Sequence, residues 1–341
     1  MNPRPTVTVI SLGGTIASAP STESGLAGPR LSARELTSGL PQLDELAEVE
    51  VIDLARLPSC DVTFDLALAV AAEVSSAASR GSSGVVVTQG SDTIEEMAFC
   101  LDLLVTEDVP VVVVGAMRHS ALPGAEGAAN LLDAVRTVLS PDARGLGCLV
   151  VMNEEIHCAR VVRKRHTSSP AAFYSEGVGP CGWIVEGVAH LRDRPYARVV
   201  LDLPAVVEVV RLPLVRMTFD DDGWWIPAIT QLDAKGLVIE GTGGGHVPSW
   251  LADDIVKLAR RIPVVLTSRT GGGTVLTSTY GGFKGSESAL VDGGLIPAGT
   301  LDGLKARVLL TLLLTAGTDR AGIEQAIATV GQVRRTAPTL R

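Results

Sequence analysis

Thr6-Val-Thr-Val-Ile-Ser-Leu-Gly-Gly-Thr15 is an aliphatic run that stops on two glycines and a hydroxyl. A strand buried on both faces reads as a nearly unbroken aliphatic run, as strands of parallel sheets do. Glycine at its carboxyl end lets backbone N–H groups and a small hydroxyl come close to a ligand, and open parallel sheets bind ligands at such ends. The pattern returns in Gly84-Val-Val-Val-Thr-Gln-Gly-Ser91, which continues Asp92-Thr-Ile-Glu-Glu96. Two turns of this kind can face one pocket.

Outward from these runs, strand-like and helix-like segments alternate. Residues 6–12, 49–54, 84–88, 110–115 and 148–152 read as strands. Segments 32–40, 64–79, 92–105 and 127–140 carry apolar residues at spacings of three and four, as amphipathic helices do. Five strands with four helical crossovers predict an α/β fold with a large, Rossmann-like N-terminal domain built on a mainly parallel sheet. From about Gly187 the rhythm breaks into a polar stretch with Arg and Pro. It resumes with strands at 206–212, 236–240 and 263–268 and a long apolar helix near 304–316. The expected division is an N-terminal domain over 1–190, a linker over 191–205 and a smaller C-terminal α/β domain over 206–341. Residues 18–31, rich in Ser, Gly, Pro and Ala directly after Thr15, read as a mobile loop beside a site.

The 341 residues are 46% hydrophobic and 20% charged, the profile of a chain that buries a sizeable core. A net charge of −9 without a Lys/Arg cluster argues against nucleic acid as a partner. Five scattered cysteines with no CxxC spacing predict thiols not joined in disulfides, in a reducing compartment. No stretch has the length of a membrane span, and the expected location is the cytoplasm.

Three positions could carry chemistry. Thr15 is a weak nucleophile without a base to take its proton, and by spacing it also fits a turn or helix N-cap hydroxyl. Ser91-Asp92 follows Gly90 at a strand end, where Asp92 with Glu95 equally fits a capping box. Lys164 stands in the basic run Arg160-Val-Val-Arg-Lys-Arg-His-Thr167. It could act as a base for Ser91 with Asp92 between them, or be a solvated surface lysine.

Taken together, Gly13-Gly14-Thr15-Ile16-Ala17, Gly90-Ser91-Asp92-Thr93-Ile94-Glu95-Glu96, Gly115-Ala116-Met117-Arg118, Gly127-Ala-Ala-Asn-Leu131, Lys164-Arg-His-Thr167 and Ser268-Arg269 resemble, in order, the motifs of the bacterial-type asparaginase/glutaminase family. The resemblance implies hydrolysis of a side-chain amide, L-asparagine first, to a carboxylate and ammonia through a Thr-linked acyl-enzyme, with no metal or organic cofactor. It implies a homotetramer of intimate dimers in which each site is completed by the neighbour's smaller domain. By the same resemblance Thr15 is the nucleophile, and Ser91 with Asp92 and Lys164 form the activating group. Ser59 holds the substrate's α-carboxylate, while Gly90, Ser91 and Asp92 hold its amino-acid head. Ala116 offers its carbonyl to the leaving amide, and Glu287 is the acid lent by the neighbouring subunit.

The chain also departs from the family pattern. Ser91 replaces the usual Thr, Gln89 stands where many members have His, and His246 stands where some have Asn. The lid tyrosine is missing, since no aromatic precedes Phe64. These departures leave open another small amide or a lactam as substrate, or a non-catalytic amino-acid-binding protein. Gly241-Thr-Gly-Gly-Gly-His246 lacks the Lys-Ser/Thr of a phosphate loop and reads as a tight turn. His157 and Cys158 beside Glu154-Glu155 match no zinc spacing. Trp224-Trp225 reads as an interface or packing pair.

Overall fold

The computed structural model describes residues 4–20, 27–29, 32–192, 196, 198–204 and 208–332. The chain divides into two compact units, Met1–Arg194 and Pro195–Arg341. In the first, strands are β1 (Thr6–Gly13), β2 (Ser18–Pro20), β3 (Ala27–Pro29), β4 (Glu48–Leu57), β5 (Gly84–Thr88), β6 (Val111–Val114), β7 (Cys148–Met152), β8 (Glu155–Cys158), β9 (Val162–Lys164), β10 (Phe173–Ser175), β11 (Gly182–Val185) and β12 (Val188–Leu191). Its helices are α1 (Ala33–Ser38), α2 (Gln42–Leu46), α3 (Phe64–Ser79), α4 (Ile94–Leu104) and α5 (Gly127–Leu139).

Eight strands form the main sheet in the order β12-β11-β8-β7-β6-β5-β1-β4. From β4 to β7 every pairing is parallel. The five parallel strands, counted in chain order, therefore lie 2-1-3-4-5, and the direction of winding reverses between β1 and β5. In doubly wound sheets a ligand crevice opens at the carboxyl ends of the strands at that reversal. Thr15 follows the end of β1, and Ser91 follows the end of β5. The aliphatic content explains the sheet: Val85–Val87, Val111–Val114 and Leu149–Val151 are buried, and each such side chain contributes about 1.5–3 kcal/mol when fully removed from water.

The sheet continues past β7 in antiparallel strands that periodicity did not reveal. Two tight turns make them. Asn153 and Glu154 (φ 55° and 64°) join β7 to β8, and Glu186 and Gly187 (φ 50° and 77°) join β11 to β12. Paired positive φ values give the turn twist that matches a two-residue hairpin. The rhythm expected to stop at Gly187 thus carries on for one more strand, which includes Leu191, the first residue assigned to the linker. The expected lid, 18–31, holds the short antiparallel pair β2–β3, while 21–26 and 30–31 lie outside the described residues.

In the second unit β13 (Leu214–Arg216), β14 (Leu237–Gly241), β15 (Val264–Ser268) and β16 (Ile296–Pro297) form a four-stranded parallel sheet in sequential order. Its helices are α6 (Trp225–Gln231), α7 (Ser249–Ala259), α8 (Glu287–Asp292), α9 (Gly303–Thr315) and α10 (Arg320–Val330). Ile239, Leu266, Leu251, Ile255 and Leu290 form the centre of a buried cluster. The strand expected over 206–212 is corrected to β13: Val206 and Val207 lie outside the described residues, and 208–212 are not in a strand. Pairing with β14 starts at Pro213, whose carbonyl accepts from Val238 N–H, because proline has no N–H for a ladder and suits a strand's start. The aromatic pair separates, with Trp225 in the buried cluster and Trp224 exposed. Among the described residues no helix is long and apolar enough to cross a membrane.

One backbone approach fixes the two strand-end turns against each other. A Cβ placed on Gly14, at φ 78°, would lie 1.9 Å from Gly90 N and 2.2 Å from Gly90 Cα. Gly14→Ala is expected to cost about 3 kcal/mol or more, from clash and strain together. Gly28→Ala, where a Cβ meets nothing within 4 Å, is the control. An unchanged urea midpoint for Gly14→Ala would show that the turns do not abut.

Candidate active site

Thr15 opens a single 3-10 turn, Thr15–Ala17, whose preceding residue is Gly14. That turn is held from two sides. Gly14 N–H donates to Leu57 O at 3.1 Å, and Ser18 Oγ donates to Gly14 O at 2.8 Å. Thr15 itself remains partly exposed. With Gly14 against Gly90, its turn lies alongside the turn that carries Ser91.

Ser91 starts the 3-10 turn Ser91–Thr93, which runs directly into α4. Amides at that end carry the partial positive charge of a helix N-terminus and favour anions. Ser59, on the turn after β4, is stitched to it: Asp92 N–H donates to Ser59 Oγ at 3.2 Å, and Thr93 Oγ1 donates to Ser59 O at 2.9 Å. A Cβ on Gly90 would sit 2.7 Å from Ser59 Oγ, so only glycine admits the serine. Gln89 donates through Nε2 to Thr93 Oγ1 at 3.2 Å.

Lys164 ends β9, the first strand of the β9–β10 hairpin. Its Nζ donates to Ser91 Oγ at 2.9 Å and to Asp92 Oδ1 at 2.6 Å. The lysine side chain is 14% exposed and the aspartate 63%. The hydrogen bond from Lys164 is the chief cause that holds the Asp92 carboxyl below the usual aspartate range, against the opposing pull of partial burial. Asp92 does not cap α4, and Glu95 completes no capping box. Glu95 is instead buried and accepts from Lys164 N–H at 3.3 Å, so a carboxylate in the first turn of α4 positions the backbone of the lysine whose side chain reaches Asp92 just before it.

The turn after β6 brings Ala116, which is buried. A Cβ on its neighbour Gly115 would lie 2.8 Å from Gln89 O, so this turn packs on the Gln89–Ser91 turn. Sequence reading gave no role to the two residues that hold it. Asn130 Nδ2 donates to Gly115 O at 3.0 Å, and Glu126 Oε1 accepts from Met117 N–H and Arg118 N–H. A polar residue at each of two positions four apart, at the start of a helix, was the available signal.

In the C-terminal unit Glu287 is fully buried. One oxygen accepts from Thr279 N–H at 3.0 Å and from Tyr280 N–H, and the other lies 2.9 Å from His246 Nε2. Burial works against ionisation, but the bonds from the Tyr280 backbone and His246 outweigh it and hold the carboxyl below its usual range. Both oxygens are thus engaged within their own unit. His246 packs edge-on against Tyr280 and Phe283 at 5.1 and 5.6 Å, and Gly241–His246 closes as a tight turn through a Thr242–His246 bridge.

His157 is buried with Nδ1 2.9 Å from Ser175 Oγ, and burial pushes its pKa down to about 4. Among the described residues no three His, Cys, Asp or Glu side chains gather in a way that could hold a metal ion.

A family model for the asparaginase N-terminal domain matches residues 6–197, and one for the glutaminase/asparaginase C-terminal domain matches residues 211–327. The chain belongs to the asparaginase family. It is similar to an L-asparaginase of Bacillus licheniformis, 36% identical over 313 residues that cover 91% of this chain and 95% of that protein. It is similar also to L-asparaginase 2 of Escherichia coli (strain K12), 33% identical over 330 residues, 94% of this chain and 92% of that one. Among solved structures, a probable cytoplasmic L-asparaginase from Campylobacter jejuni aligns with a TM-score of 0.86 at 29% identity, over 96% of this chain and all of the other. In this asparaginase-family chain, Ser59, Gly90, Ser91, Asp92 and Lys164 come together, with the Thr15 and Ala116 turns packed against them.

The shifted carboxyl gives a test of the Lys164 contact. Asp92 titrates lower in the folded chain than its ordinary 3.8, so the unfolded chain binds more protons near that value. The stability of the pair is therefore fully present above 3.8 and is lost as pH falls through the lower folded value. Asp92 is largely exposed, and solvent screening keeps that share small. In a carboxylate NMR titration, Lys164→Met is expected to return Asp92 toward its ordinary value. A titration unchanged by the substitution would remove Lys164 as the cause.

Proposed function

We propose that this chain is an amidohydrolase that converts L-asparagine to L-aspartate and ammonia, with Thr15 as nucleophile. The contact of Lys164 Nζ with both Ser91 Oγ and Asp92 Oδ1, at the end of β5 and beside the Thr15 turn, carries this reading. A solvated surface lysine has no reason to cross from a hairpin to two oxygens at a helix start. Family membership and the names of the similar proteins support the choice of substrate.

In this reading the α-carboxylate of asparagine is held by Ser59 and the amides at the start of α4, and its α-ammonium by Asp92. Thr15 Oγ attacks the side-chain amide carbon and the C–N bond breaks. The hydroxyl proton leaves on the nitrogen, so ammonia departs and an ester to Thr15 remains. Water cleaves the ester, returning the threonine hydroxyl and giving aspartate. Lys164, Ser91 and Asp92 form the chain of exchangeable protons beside the reacting atoms, and Ala116 O accepts from the leaving nitrogen. Backbone N–H groups at the two turns stabilise the tetrahedral oxyanion. Glu287, held by the Thr279–Tyr280 turn and His246, is the acid proposed to be lent to a neighbour's site, since a carboxylate keeps acceptor capacity beyond these three contacts.

We assign the N-terminal unit as the catalytic domain and the smaller C-terminal unit as the one that completes a neighbour's site, in a homotetramer of intimate dimers. The cytoplasm is the proposed location, in keeping with five cysteines of which none is joined in a disulfide among the described residues. Sedimentation velocity should give the mass of four chains of 35.5 kDa; a monomer that turns over at full rate would remove the shared-site assignment.

Thr15→Ala is expected to lower kcat for ammonia release by about 10³-fold or more while asparagine still binds. Full activity in this variant would discard the nucleophile assignment. A panel of asparagine, glutamine and short amides of both chiralities separates the readings. Cleavage of another amide alone would change the substrate, and calorimetric binding of asparagine without any turnover would favour an amino-acid-binding protein.

A further inference from the structure

Glu126 and Asn130 stand one turn apart at the start of α5 and grip consecutive peptides of the turn that carries Ala116. Asn130, itself buried and anchored through Oδ1 by Asn153 N–H at 3.1 Å, takes the carbonyl of the Gly115–Ala116 peptide. Glu126 Oε1 takes the N–H of the next peptide, Ala116–Met117, and also Arg118 N–H at 3.3 Å. In a trans peptide the N–H and C=O point in opposite directions. The bond to Met117 N–H therefore aims Ala116 C=O away from Glu126.

The carboxylate does more than orient. Hydrogen bonds in series polarise one another, so a negative charge on the N–H of a peptide makes that peptide's carbonyl a stronger acceptor. Glu126 Oε2 is buried with no hydrogen-bond partner among the described residues. A group needed only to fill the turn has no use for a buried, unanswered charged oxygen, whose desolvation is costly. The same turn is locked to the Ser91 turn, since any side chain on Gly115 would strike Gln89 O and Ile94.

We propose that Glu126 is a positioning residue whose charge, passed through the Ala116–Met117 peptide, strengthens the Ala116 carbonyl as acceptor for the departing nitrogen. The inference rests on the reading of Ala116 given above. As the amide nitrogen gains a proton and becomes a better donor, the carbonyl holds it more tightly than in the bound substrate. The contribution thus falls on kcat, and only for leaving groups that carry N–H.

The test uses the full chain with Glu126→Gln, which keeps one acceptor oxygen and the shape but loses the charge. L-Asparagine is compared with the β-methyl ester of L-aspartate, whose leaving oxygen has no N–H in the substrate. With thermal unfolding unchanged, kcat on asparagine should fall about 10-fold with little change in KM, kcat on the ester should hold, and Glu126→Asp should recover part of the loss. Equal losses on both substrates, or a change confined to KM, would overturn the proposal and leave Glu126 a structural brace. If the Glu126→Gln protein does not fold stably, the Glu126→Asp protein is compared on the two substrates by the same criterion. No turnover of either substrate by the unmodified chain would instead count against the asparaginase reading itself.

Discussion

The contact of two glycines, Gly14 and Gly90, with no room between them for even a methyl group, is the constraint on which the rest of the site is built. Each glycine lies just past the end of one of two neighbouring parallel strands, and these are the two strands between which the winding of the sheet reverses. Helices leave the sheet on opposite faces at such a point and open a crevice above the strand ends. Here backbone lies directly against backbone, so the hydroxyls that follow, Thr15 and Ser91, are presented from neighbouring turns. Ser59 and the Gly115–Ala116 turn pack on the Gln89–Ser91 turn, and each contact again depends on a missing side chain.

Charge is then brought in from outside this backbone frame. The hairpin β9–β10 lies beyond the parallel strands, and Lys164 reaches inward from its end to oxygens on the 3-10 turn that leads into α4. The reach holds because Glu95, in the first turn of α4, grips the lysine's own backbone. A carboxylate near a helix start is favoured by the dipole, and α4 uses that position twice, once to pair with the lysine and once to locate it. α5 repeats the device on the other side with Glu126 and Asn130. In both places a buried polar side chain secures a turn, which is the support a reacting group needs to stay within reach of its partner.

Legibility followed the periodicity of burial. Strands such as Gly84–Thr88 and Cys148–Met152 and the helix Phe64–Ser79 stand in the structure where the aliphatic runs and the three-and-four spacing placed them. β8, β11 and β12 were not legible, because each is only four residues long and its signal lies in turns with positive φ at Asn153, Glu154 and Glu186, residues that do not announce a hairpin as Asn-Gly does. The strand expected at 206–212 shifted to Leu214–Arg216 because Val-rich sequence alone does not show where pairing with β14 begins. In the site, Thr15, Gly90, Ser91, Asp92 and Ala116 were singled out from glycine-bearing motifs, while Glu95 was read only as a capping partner and Glu126 and Asn130 were given no role: charged and amide residues at a helix start read by default as caps or solvated groups.

By itself the sequence determined the buried parallel sheet and the two strand-end turns, because aliphatic runs and glycines act locally: burial on both faces needs the former and close backbone approach the latter. Only the tertiary structure decided which partners meet there. Lys164 is separated by 72 residues from Asp92, and Ser59 by 33 from the same residue. No local rule relates them. Their meeting depends on strand order, which sets β4 on one side of β1 and β5 on the other, and on a hairpin outside the parallel sheet that turns one lysine back toward its centre.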